Sequence, residues 1–126
     1  MKEQADNRIM VMATEPEPHF TLENAYELYA DANTEQKLAD VFAIVENKAW
    51  WIEDNEYDFE EGTDEYVAAR KRTDNWFGIA DRIKHNIFEI LRSEGIEIPK
   101  TRQITVLEPF MKRNGYRNGN GWWIKE

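Results

Sequence analysis

Cysteine is absent from the chain, serine occurs once, at Ser93, and histidine twice, at His19 and His85. Without cysteine there is no disulfide, thiolate nucleophile, iron-sulfur ligation or Cys-type zinc site, a composition that fits a reducing compartment. One serine and two histidines are poor material for nucleophilic catalysis. His19 follows Pro18 in the Pro-containing linker, and His85 falls between Ile83 and Ile87 on the outer face of a helical segment, where an ordinary exposed imidazole is expected. Long apolar runs are missing as well. The N-terminal region offers only the five residues Ile9 to Ala13, which make neither a secretory leader nor a spanning helix. The expected location is the cytoplasm, with no membrane partner.

Positive charge is also scarce, and unevenly placed. Of the formal net charge of -9, residues 1–99 carry -13 (10 Lys/Arg against 23 Asp/Glu) and residues 100–126 carry +4 (6 against 2). Such an asymmetry speaks about partners and solubility rather than fold.

What is present suffices for a core. A chain of 126 residues is the size of one domain and hides roughly two-thirds of its unfolded surface on folding. Its apolar content of 41% and aromatic content of 13% can fill that interior. The expected organisation is an N-terminal arm and Pro-containing linker over 1–20, followed by a single α+β domain over 21–126. Pro16 and Pro18 stop regular structure in the linker. The apolar run Arg8 to Ala13 is a candidate third strand or docked arm.

Thr21 is a fair N-cap for a short helix whose face holds Leu22, Ala25, Tyr26 and Tyr29. Asn33 with Gln36 resembles a capping box opening a second helix. There Leu38, Val41, Phe42, Val45, Ala49 and Ile52 recur at helical spacing, while Lys37, Asp40, Glu46 and Lys48 are assigned to other faces. A third helical region runs from about Asp64 to Glu94 along Tyr66, Ala69, Thr73, Trp76, Ala80, Ile83, Ile87 and Ile90, with a kink or restart expected near Thr73 to Asn75. Gly95 is its C-cap candidate. Gln103 to Phe110, rich in β-branched residues, reads as a strand partnered by Trp122 to Ile124; a short helical turn from Pro109 to Arg113 is an equally legal local reading. Three Asn-Gly pairs, at Asn114, Asn118 and Asn120, supply tight-turn signals. Three or four helices followed by a C-terminal hairpin is the expected fold, and a winged-helix-like arrangement is compatible with it.

Residues 53 to 65 carry Glu53, Asp54, Glu56, Asp58, Glu60, Glu61, Asp64 and Glu65 without one base and read as a solvated loop. A calcium loop does not fit, because Phe59 stands where glycine is needed and Gly62 is out of register. Asp81, His85 and Glu89 have metal-compatible helical spacing but lack a second histidine, and ion pairing with Arg82, Lys84 and Arg92 accounts for them. No metal, cofactor or enzymatic activity is expected.

Two binding readings remain. Clustered carboxylates, with Glu53, Asp54, Glu56, Asp58, Glu60 and Glu61 as candidate contacts, can engage a basic protein partner, even as an inhibitor that mimics a nucleic-acid backbone. Alternatively, Lys112, Arg113, Tyr116, Arg117 and Trp122 of the basic hairpin can meet phosphates and stack on bases. A protein partner is the preferred expectation and nucleic acid the alternative, since an acidic body repels a polyanion and the hairpin can dock on the protein's own acidic helices instead.

Overall fold

The computed structural model describes residues 14–56 and 58–126; the segment Arg8 to Ala13 lies outside the described residues. Apolar side chains at steps of three and four, capped by short polar residues, produce helices α1 (Leu22–Ala30), α2 (Glu35–Glu56), α3 (Asp64–Ser93) and α4 (Ile104–Arg113). Strands β1 (Tyr116–Gly119) and β2 (Trp122–Lys125) form an antiparallel hairpin. These described residues make a small α+β domain in which no helix is long and apolar enough to cross a membrane.

The two longest helices, α2 and α3, pack along one another and carry most of the core. Leu38, Val41, Phe42, Val45, Ala49 and Ile52 from α2 meet Trp76, Ile79, Ala80, Ile83, Ile87 and Leu91 from α3, all buried. Each fully buried Leu, Ile, Val or Phe of this set contributes roughly 1.5–3 kcal/mol. Helix α1 opens with a capping box in which Thr21 Oγ1 accepts from the Asn24 N–H at 3.0 Å and Asn24 Oδ1 accepts from the Thr21 N–H at 3.1 Å. At α2 the cap is Thr34 rather than Asn33, its Oγ1 accepting from the Lys37 N–H at 3.1 Å. Gln36 is drawn away from any capping role by Asp40 and by the carbonyl of Asn114, to each of which it donates at 2.9 Å.

Helix α3 runs without the expected interruption at Thr73 to Asn75. The Thr73 hydroxyl, which could have capped a new helix, is buried and bonded at 2.9 Å to the Ala69 carbonyl and at 2.9 Å to Glu56. Gly95 ends the helix at φ +84°, with Gly95 N–H bonded to Arg92 O at 2.9 Å and Ile96 N–H to Leu91 O at 3.0 Å, a Schellman motif.

The strand expected over Gln103 to Phe110 is corrected to helix α4. Its amphipathic face, Leu107, Phe110 and Met111, is buried on the core, and that burial outweighs both the β-branched residues and Pro109, which lies inside the helix. The hairpin partner of Trp122 to Ile124 is therefore Tyr116 to Gly119. Of the three Asn-Gly pairs, only Asn120-Gly121 makes the hairpin turn, with φ of 55° and 91°, as a type I′ turn demands. Asn114-Gly115 closes α4 instead, Gly115 at φ +92°.

Candidate partner-binding surface

The acidic segment is more ordered than a solvated loop, and that expectation is corrected for its first half. Glu53, Asp54 and Glu56 form the last turn of α2, and Asp64 and Glu65 the first turn of α3. Asp58 to Thr63 link them through bonds from Asp58 N–H to Asn55 O (3.1 Å), Phe59 N–H to Glu56 O (3.2 Å) and Thr63 N–H to Glu60 O (3.2 Å), with Gly62 at φ +92°. The carboxylates are thus displayed on one end of the α2–α3 pair. Those on α3 complement the positive end of its dipole. Those on α2 sit at the negative end, in a last turn that contains no base, where each is disfavoured by about 0.3–1 kcal/mol.

Their surroundings differ. Asp58, Glu60 and Glu61 are exposed, Asp54 is exposed and Glu53 half-buried. Glu56 is 1% exposed, accepting from Thr73 Oγ1 at 2.9 Å and from Arg70 at 3.4 Å, so it ties α2 to α3 instead of facing a partner. Beside it, Ile52, Asn55, Phe59, Glu65, Ala68, Ala69 and Arg72 line a groove of about 340 Å³. Sequence reading missed this groove; the signal was Phe59, an aromatic set among carboxylates, which is 43% exposed.

The basic hairpin is largely occupied by the protein itself. Arg113 donates to both oxygens of Glu35 at 2.7 and 2.8 Å and to both of Glu94 at 3.0 and 2.8 Å. These carboxylates hold its guanidinium still more firmly protonated than usual, and the Arg113 bond in turn lowers the pKa of Glu35. Tyr116 is buried and donates its hydroxyl to Asp40 at 2.7 Å, while Lys125 reaches the same oxygen at 3.3 Å. Burial first, then the bond to Asp40, pushes the Tyr116 phenol up. Trp122, the expected stacking residue, and its neighbour Trp123 point to opposite faces of β2. Both faces are covered: the two rings are 1% and 4% exposed. Lys112 and Arg117 remain exposed, Arg117 with Glu126 at 3.9 Å.

Four polar residues hold inward contacts that helical spacing does not show: Lys48, Arg72, Asn47 and Glu46. Lys48, assigned to an outer face, is 1% exposed. It donates to the carbonyls of Pro16 at 3.0 Å and Glu17 at 2.9 Å, pairs with Glu15, and lies 5.4 Å from the centre of the Trp76 ring. Arg72 reaches Glu15 at 2.7 Å, and Phe20 packs 6.2 Å from Trp76, so residues 15 to 20 are held against α2 and α3. Asn47 is bonded to the backbone of β2, and Glu46 accepts from Trp123 Nε1 at 2.6 Å.

Among the described residues, no group of three or more His, Asp or Glu side chains is placed to hold a metal ion. Comparison with protein-family models finds no match, and none is found among curated proteins or solved structures.

Proposed function

We propose that this chain is a small acidic interaction protein that binds a protein partner through the carboxylate-bearing end of the α2–α3 pair. The observation that carries this reading is the segment from 53 to 65: eight carboxylates and no base, of which all but the buried Glu56 are at least partly exposed on two helix ends and their link. Acids at the C-terminal end of α2 work against the helix dipole, and natural sequences break such local rules mainly at functional positions. A fixed array of negative charge steers a basic surface toward itself and rejects anionic competitors. Mimicry of a nucleic-acid backbone is one form that such binding takes, with a basic groove of the partner as the receptor.

The alternative, a winged-helix-like module that uses the hairpin on nucleic acid, draws on exposed Lys112 and Arg117 alone. Arg113 is consumed by Glu35 and Glu94, and Tyr116 and Trp122 are buried, so the set lacks the stacking faces such binding needs.

Affinity purification of the tagged chain at low salt, with elution by rising salt, tests the proposal. A stoichiometric protein complex that dissociates as salt rises is the expected outcome. A chain recovered alone, or one that retains nucleic acid rather than protein, counts against it.

A further inference from the structure

We propose that the groove between the end of α2 and the start of α3 receives an apolar side chain from a lysine- or arginine-rich segment of the partner, with the surrounding carboxylates meeting the flanking cations. This rests on the acidic-end reading and adds to it a specific seat. Charge alone attracts any base; a groove selects.

Four apolar side chains line the groove, buried Ile52, half-buried Ala69, exposed Ala68 and Phe59 at 43% exposure, together with Asn55, Glu56, Glu65 and Arg72. Its volume of about 340 Å³ suits one large side chain, at the lower end of the range for ligand pockets. A large exposed aromatic set among like charges is poorly placed for solubility and well placed for contact. Interfaces draw most of their affinity from such central apolar anchors ringed by polar groups.

Charge complementarity selects the occupant. From 53 to 72 there are eight acids against three bases, Arg70, Lys71 and Arg72. Two of those bases are already engaged, Arg70 with Glu56 at 3.4 Å and Arg72 with Glu15 at 2.7 Å. Glu56 itself is turned inward to Thr73, while exposed Glu65 lines the groove and exposed Asp58, Glu60 and Glu61 stand on the adjoining link between the helices. A second copy of this chain, at a net charge of -9, brings the wrong sign, as does a nucleic acid.

The test uses two dye-labelled synthetic peptides of equal length and charge, one with a leucine flanked by lysines and one with serine in its place. Binding to the full chain is followed by fluorescence anisotropy. The leucine peptide is expected to bind at least about tenfold tighter, in line with burial of one large apolar side chain. Ala68→Phe, which fills the groove from an exposed position, should remove that advantage while leaving the serine peptide unchanged. Phe59→Ser, which removes the wall, should do the same if the first variant folds poorly by circular dichroism. Equal binding of the two peptides, or an advantage that survives both variants, overturns the groove while the acidic-end reading stands. No binding of either peptide at low salt overturns both.

Discussion

The side chain of Asn47 grips the backbone of Trp123 from both sides: Asn47 Oδ1 accepts the Trp123 N–H at 2.9 Å, and Asn47 Nδ2 donates to the Trp123 carbonyl at 2.9 Å. In a two-stranded sheet the outer edge of β2 has no neighbouring strand, and a carboxamide from α2 takes that place. Asn47 is 9% exposed, so its loss strands two peptide groups away from water. Asn47→Ala should destabilise the protein by about 2–4 kcal/mol, read from urea unfolding. Loss of less than about 1 kcal/mol would mean that water replaces the carboxamide without penalty.

The buried ammonium of Lys48 is the fastening of residues 15 to 20. Three bonds from one group converge on that segment, and Trp76 backs it. Lys48→Met keeps most of the volume and leaves Glu15 its bond to Arg72, so the fold should survive with a loss of about 1–3 kcal/mol. The segment around Pro16 and Pro18 should then become sensitive to limited proteolysis. Unchanged protection would show that Phe20 on Trp76 holds the segment unaided.

Much of this was legible in the sequence, and the exceptions have physical causes. The stripe of α2 can be read from Leu38 to Ile52 because burial repeats at the helical period. Lys48 and Glu56 lie on the same stripe, at steps 45, 48, 52 and 56, and were assigned outward only because of their charge. Their partners, Glu15 and Thr73, come from parts of the chain that periodicity does not connect. Helix α4 was masked by Ile104, Thr105, Val106 and Pro109, whose local preferences are extended and whose helical form depends on packing against the core. The carboxylate array was visible, but its support by two helix ends and the groove beside Phe59 belong to tertiary structure.

Stability should depend on pH in two opposed ways. Burial raises the pKa of Glu46 despite the bond from Trp123 and the nearby Lys84. A raised acid favours the folded state below its ordinary value of 4.5, and that contribution is lost as pH climbs through the folded value. Glu46→Gln, which still accepts from Trp123, should therefore be more stable than the parent at neutral pH, with the difference vanishing in acid. A constant difference across the range would contradict this. Glu15, Glu35 and Asp40 run the other way. Burial raises Glu15 and Asp40, but bonds from Lys48 and Arg72 and from Tyr116, Gln36 and Lys125 outweigh it; Arg113 lowers Glu35. Their contribution is present above the ordinary values of 4.5 and 3.8 and is lost as pH falls through the lowered ones. Acid unfolding in that window should begin with release of the hairpin and of residues 15 to 20.

Arg113 joins α4 to both α2 and the end of α3 through Glu35 and Glu94, at 39% exposure. Solvent screening limits such a network, so Arg113→Ala should cost about 1 kcal/mol. That cost should shrink in ~1 M salt, where the Debye length falls to about 3 Å. A cost that does not respond to salt would assign the effect to packing on Phe110, 5.1 Å away.

The proposed contact lies at the acidic end and not at the hairpin. Two charge-reversed chains decide it: one with Asp58, Glu60 and Glu61 changed to lysine, the other with Lys112 and Arg117 changed to glutamate, each compared with the parent for partner recovered per mole of chain at low salt. The first is expected to lose the partner and the second to keep it. Retention by the first together with loss by the second would contradict the proposed contact.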